Sequence, residues 1–232
     1  MDGSMAISGG GTLRLRLTLM IKNAFRENLI PGLAIQVFAL LLVGSYYLVP
    51  PVNAFWNSLA TYKSSYSLLF AMGSTALFGG LIPFIYQYLS GKAARGGIAA
   101  NVLFVLIFWA WKGGEVELFY RFQAWLFGDA CTVGTIAAKM VFDQFVYNPV
   151  WAAHTVAIGL LWQHCGFDFR ATARELKNNY WGVQFPGVLI STWLVWIPAV
   201  SIIYCLPQSL QVPLFNLVLC FFVLLASSLK KA

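Results

Sequence analysis

Three uncharged stretches constrain this chain more than any other feature. Leu29–Val49, Tyr66–Ser90 and Pro186–Phe222 contain no Asp, Glu, Lys or Arg. Each is at least as long as the about 20 apolar residues that a helix needs to cross the hydrocarbon core of a bilayer. A water-soluble domain of 232 residues does not string such runs together. The pattern predicts an all-α, multi-pass transmembrane helix bundle. In such a bundle the chemistry is to be sought in the few polar residues at membrane depth, because each is costly there.

Composition agrees: 59% of residues are hydrophobic and 10% charged, with a mean hydropathy of +0.73. The net charge of +7 comes from 15 basic and 8 acidic residues. In a soluble protein that balance would suggest nucleic acid. Here the basic residues fall between apolar runs, as membrane topology requires, so no nucleic-acid partner is expected. Cys131, Cys165, Cys205 and Cys220 form no C-x-x-C pair, and neither a disulfide nor a metal site is assigned to them. No cleavable signal peptide is evident. Residues 1–28, with Arg14, Arg16, Lys22 and Arg26 among leucines, read as a basic juxtamembrane segment. Residues 29–232 read as one integral membrane domain.

Six spans account for the runs. The first, Leu29–Val49, is stopped by Pro50-Pro51. A short loop with Lys63 should follow, and then a second span over Tyr66–Ser90. The third starts near Ile98 and continues through Lys112 to Phe127. The fourth runs from about Thr132 to His164 with a kink at Pro149, and a polar loop covers Gly166–Tyr180. The fifth is Pro186–Leu206, kinked at Pro198, and the sixth Val212–Leu229. With the N-terminus on the cytosol-like side, that side holds Arg14, Arg16, Lys22, Arg26, Lys92, Arg95, Arg170, Arg174, Lys177, Lys230 and Lys231. The other side holds Lys63, Lys112 and Arg121. This asymmetry predicts both termini on the positively charged side.

Two segments carry ionisable residues into the bundle. One is Lys112–Arg121, with Glu115 and Glu117; the other is Lys139–Asp143, extended by Gln144 and Asn148. Glu117/Arg121 and Lys139/Asp143 are each spaced i,i+4, so each pair shares a helical face. The end of the third helix meets the start of the fourth, which also allows Glu115 or Glu117 to pair with Lys139, and Arg121 with Asp143. Either these groups glue two helices together or they line a wet vestibule or gate. His154 reads as a helical histidine satisfied by a neighbour. No nucleophile elbow, metal triad or phosphate loop occurs, so neither an enzyme nor a cofactor is expected.

The stretches G-G-E-V-E-L-F-Y-R-F-Q-A-W-L-F-G (Gly113–Gly128) and K-M-V-F-D-Q-F-V-Y-N-P (Lys139–Pro149) resemble the Mpv-seventeen / peroxisomal membrane protein family of small multi-pass proteins. Gly113, Phe119 and Tyr120 match the first part of that family's signature. Lys139, Asp143, Gln144 and Pro149 match its K-x-x-x-D-Q-x-x-x-x-P block in full. Trp193, Trp196 and Pro198 resemble its W-x-x-W-P with one residue inserted, and Leu206-Pro207 its V-P. The chain has Gly114 where the family has proline, Glu117 where it has histidine, and no arginine shortly after Pro207. The likeness covers about residues 110–229, and the family core has about four spans. What the resemblance implies is a channel or pore for small solutes in a mitochondrial inner, peroxisomal or bacterial plasma membrane. From the chain's own polar residues, the channel reading predicts a water-accessible path lined by Glu115, Glu117, Arg121, Lys139, Asp143 and Gln144. The alternative is a structural membrane protein that organises lipid or partner proteins. The expected partners are the bilayer itself and further copies of the chain.

Overall fold

Pro50 and Pro51 stop one helix and start another with no loop between them. The computed structural model describes residues 9–91 and 97–229, all helices and short connections, with no strand among the described residues. α1 (Gly9–Leu48) ends just before the proline pair, and α2 (Pro50–Thr75) begins on it. The prolines occupy the first turn of α2, where a missing N–H removes no intrahelical bond. A π-helical stretch, Ala76–Leu81, carries α2 into α3 (Ile82–Leu89). α4 (Ile98–Phe127) follows. α5 (Val133–Phe142) and α6 (Ala153–His164) are two ends of one rod, joined by a second π-helical stretch, Asp143–Ala152. α7 (Phe169–Asn179) is a short connecting helix, and a π-helical turn, Tyr180–Gln184, leads into α8 (Phe185–Ile203). α9 (Gln208–Leu229) is the last helix.

These elements form six long rods that alternate in direction. Four segments are long and apolar enough to cross a membrane: Asn28–Leu48, Pro50–Leu89, Phe185–Ile203 and Gln208–Leu225. The chain is therefore a multi-pass integral membrane protein built as an all-α bundle. α4 and the α5–α6 rod have comparable length but carry the ionisable residues. Ile30, Leu33, Val37 and Leu41 on α1, with Leu103 and Ile107 on α4, are each more than half exposed. An apolar exterior of that kind suits lipid, and the interior is where polar groups gather. The core joins α1, α8 and α9, with Ile35, Ala39, Val195, Ala199, Leu214 and Val218 out of contact with solvent. α2 and α4 cross closely at Gly113, where a Cβ would come within 2.4 Å of the Ala71 carbonyl oxygen. Thr75 donates to Asn216 Oδ1 at 2.8 Å, and Asn216 donates to Ser74 at 2.8 Å, which ties α2 to α9.

Several expectations are corrected. Lys63 does not sit in a loop: it lies in α2 and is 2% exposed. The expected start of the second span instead marks a break in direction within α2, at Ser67 (φ 1°, ψ −72°). The polar loop over 166–180 contains a helix, because Asp168 Oδ1 accepts from the N–H groups of Arg170 (2.7 Å) and Ala171 (3.1 Å) and caps α7. α1 extends N-terminally through the basic stretch to Gly9, and its membrane-spanning part, Asn28–Leu48, agrees with the expected first span. Pro198 lies inside α8, the helix expected for the fifth span. Residues 1–8, Lys92, Arg95, Lys230 and Lys231 lie outside the described residues.

Candidate functional site

Pro149 shapes the centre of the bundle. In the π-helical register an N–H at position 149 would serve the carbonyl of Gln144, and proline has none. Trp193 of α8 supplies the missing donor, its Nε1 bonding to the Gln144 carbonyl oxygen at 2.7 Å. A neighbouring helix thus satisfies the backbone group that proline frees, as it must where no water is at hand. The stretch turns Asp143, Gln144 and Asn148 inward, all buried, with Asn148 donating to Gln144 Oε1 at 3.4 Å.

The charged residues sort into separate systems. Between α2 and α4, Glu117 is held by Lys63 at 2.8 Å, by Arg121 Nε at 2.9 Å and by the Ser67 hydroxyl at 2.9 Å. Arg121 also donates to Ser67. Between α4 and the α5–α6 rod, Lys112 pairs with Glu115 and donates to Thr155 Oγ1 at 3.2 Å. Tyr147 donates to Glu115, and its ring stacks on Phe119 at 3.8 Å. At the end of the bundle where α4 finishes, Lys139 pairs with Asp129 at 3.3 Å, and Asp129 accepts from the Gln208 N–H at 3.2 Å. Gln123 donates to the Lys139 carbonyl at 2.9 Å.

Asp143 belongs to none of these ion pairs. Its carboxylate accepts from the Tyr204 hydroxyl at 2.5 Å. The expected Glu117–Arg121 pair forms. The Lys139–Asp143 pair does not, nor do the cross-pairs of Lys139 with Glu115 or Glu117 and of Arg121 with Asp143. Tyr204 explains the failure: its ring centroid lies 5.9 Å from Lys139 Nζ while its hydroxyl faces Asp143. It separates two residues that helical spacing alone would have joined.

A cavity of about 1120 Å³ opens inside the bundle. Its lining runs from Arg26, Asn28 and Gln87, where α1 enters the bundle and α3 ends, inward past Trp109, Lys112, Val116 and Ser191. It finishes at Tyr120, Asp143, Gln144, Val200 and Phe215. No lining residue comes from 121–142 or 201–214, the parts of α4, α5, α8 and α9 nearest the opposite end. The cavity is therefore one-ended. Gly187 and Val200 both line it, which sets its depth along α8 at about 20 Å, from a rise of about 1.5 Å per residue. Its floor is a packed layer in which Tyr120 meets Tyr204 edge-on at 5.5 Å. Below the floor stand Gln123, Lys139, Asp129 and Gln208.

Of the residues singled out by sequence, Phe119, Tyr120, Asp143, Gln144 and Trp196 line this cavity, while Glu115, Glu117, Arg121 and Lys139 do not. Gly113 is a crossing point, and Pro207 lends its carbonyl to the Leu210 N–H at 2.8 Å as α9 begins. His154 contacts the Tyr180 hydroxyl and stacks on Phe185 at 4.2 Å. Sequence reasoning missed Lys63, Ser67, Tyr147 and Tyr204. Lys63 had a usable signal, a lone charge three residues before an apolar run, but the tyrosines looked like ordinary membrane aromatics. Among the described residues no three of His, Cys, Asp and Glu gather as a metal site. Compared with known proteins, the chain matches no family model, no curated protein and no solved structure.

Proposed function

We propose that this protein is a channel or pore for small solutes, held closed at the Tyr120–Asp143–Tyr204 layer. The observation that supports this is the one-ended cavity: it reaches deep into an otherwise close-packed bundle and stops at a buried carboxylate beneath a tyrosine hydroxyl. A purely structural bundle has no use for such a void, since empty space forfeits packing contacts on every side. The Lys139–Pro149 block, which resembles the Mpv-seventeen / peroxisomal membrane protein family, supplies two of the groups at this floor, Asp143 and Gln144. Family membership is part of the same proposal, and so is the placement of the cavity mouth on the positively charged side of the membrane.

A second reading has its own support. Lys63 on α2 pairs with Glu117 on α4, joined by Arg121, and such an ion-paired cluster acts as helix glue, which is what a structural membrane protein would require. Flux separates the two. The full chain is reconstituted in liposomes, and release of small fluorescent solutes and single-channel currents are recorded. Tyr204→Phe removes the hydroxyl that holds Asp143 while keeping the ring. The channel reading expects Tyr204→Phe to raise flux at least several-fold over the original chain. If neither the original nor Tyr204→Phe passes any solute beyond protein-free liposomes, the structural reading stands instead.

A further inference from the structure

We infer that the cavity binds an organic cation, an amine carried on an apolar body, with its charged group at Asp143. The inference rests on the proposed function only in taking the cavity as open to solutes. Three observations carry it. First, Asp143 is 6% exposed and lines the floor of the cavity, and its hydrogen-bond partner, Tyr204, is neutral. Lys112, which shares the lining, is already engaged by Glu115, and Lys139, one turn before Asp143, by Asp129. A buried carboxylate with no counter-charge is costly, and a cation delivered to it removes that cost. Second, the floor is aromatic: Tyr120, Trp196 and Phe215 surround the same end, with Trp196 and Phe215 in ring contact at 5.2 Å. Aromatic faces attract ammonium groups, most strongly where water is excluded. Third, the walls above the floor are mostly apolar, with Val116, Val156, Val188, Leu219 and Phe222 outweighing the hydroxyls of Ser191 and Thr192 and the paired Lys112. A hydrated inorganic ion gains nothing from such walls, whereas a hydrocarbon or aromatic body does. An anion is disfavoured at the floor, because Lys112 is neutralised by Glu115 and the other cation of the lining, Arg26, stands at the opposite end of the cavity. The volume of about 1120 Å³ is ample for a drug-sized molecule.

The test is binding to the full chain purified in detergent, read by equilibrium dialysis with radiolabelled phenethylamine. Phenethyl alcohol and phenylacetate, which keep the ring and change the charge, serve as competitors. The original chain is expected to bind the amine, and both competitors should be at least tenfold weaker. Asp143→Asn, which preserves the shape and the hydrogen bond to Tyr204, should lower amine affinity at least tenfold and bring it level with the alcohol. Equal affinity for amine and alcohol in the original chain overturns the inference, as does an unchanged amine affinity in Asp143→Asn. If Asp143→Asn does not fold, the competition on the original chain still decides, together with Ser191→Trp. That change puts a large ring into the cavity wall and should abolish binding; amine binding that survives it places the site elsewhere and overturns the inference. The measurement needs no transport. A chain that prefers the amine but passes no solute in liposomes keeps this inference and removes the channel reading. A chain that passes solutes without any preference for the amine does the opposite.

Discussion

Lys63 has almost no contact with water, and Glu117 has less. Two charges taken out of water hold each other at 2.8 Å, and removing one leaves the other stranded in an apolar bundle. Breaking such a pair costs about 3–5 kcal/mol, whereas replacing both partners with uncharged groups of similar size is often close to neutral. Glu117→Gln alone is therefore expected to lower stability by about that amount. The double change Glu117→Gln with Lys63→Met should recover most of it. Thermal unfolding in detergent reads both, and a single variant as stable as the original would remove the pair from any structural role. Arg121 is half-exposed, so its share in the cluster is small by comparison. A different outcome holds at Asp143. Helical spacing made it the natural partner of Lys139, and Asp143→Asn would then strand a lysine. With Lys139 bonded to Asp129 and Tyr204 between the two, Asp143→Asn is expected to cost less than Glu117→Gln under the same measurement.

The second π-helical stretch shows what an element can hide from its sequence. Pro149 announces a disturbed helix, but it does not announce the remedy, because the Trp193 donor arrives from a helix more than forty residues away. Gln144, Pro149 and Trp193 therefore form one unit. Trp193→Phe should leave the Gln144 carbonyl without a donor, at a cost of about 1–3 kcal/mol. In a Pro149→Ala background the backbone regains an N–H that can serve that carbonyl, so the same Trp193→Phe change should cost distinctly less. A double-mutant cycle on thermal stability measures the difference. Strict additivity would mean that the indole bond and the proline gap are unrelated. Helix existence was legible from apolar runs, and the junctions at Pro50-Pro51 and Thr132 from their own chemistry. Lys63 was misplaced for a physical reason: a lone charge beside serines reads as a loop until the partner that neutralises it, on α4, is known. The Ser67 break and α7 were missed in the same way, since a kink and a short polar helix leave no long apolar signature.

At the scale of the whole molecule, six rods alternate, which returns the end of α9 to the side on which α1 began. The rod order came directly from the runs, and it survives the loss of the expected loop at Lys63 because α2 and α3 already supply one full crossing. What the runs could not reveal is the cavity. It arises from side chains of α1, α3, α4, α6, α8, α9 and the Asp143–Ala152 stretch meeting in three dimensions, and no single segment records it. Four rods cross on apolarity alone, whereas α4 and the α5–α6 rod carry charge, so the layout depends on whether these two also cross. The chain's own cysteines test it. Cys131, exposed in the connection between α4 and α5, and Cys165, half-buried in the turn between α6 and α7, flank the α5–α6 rod at its two ends. In single-cysteine variants, an impermeant thiol reagent should reach Cys131 from one face of sealed vesicles and Cys165 only from the other. Lys22→Cys, exposed on α1, should label from the same face as Cys165, because both lie at the end where the cavity opens. Labelling of Cys131 and Cys165 from one face would mean that the α5–α6 rod does not cross. The cavity would then open sideways between helices rather than toward one side of the membrane, and the floor at Asp143 could not act as a gate across it.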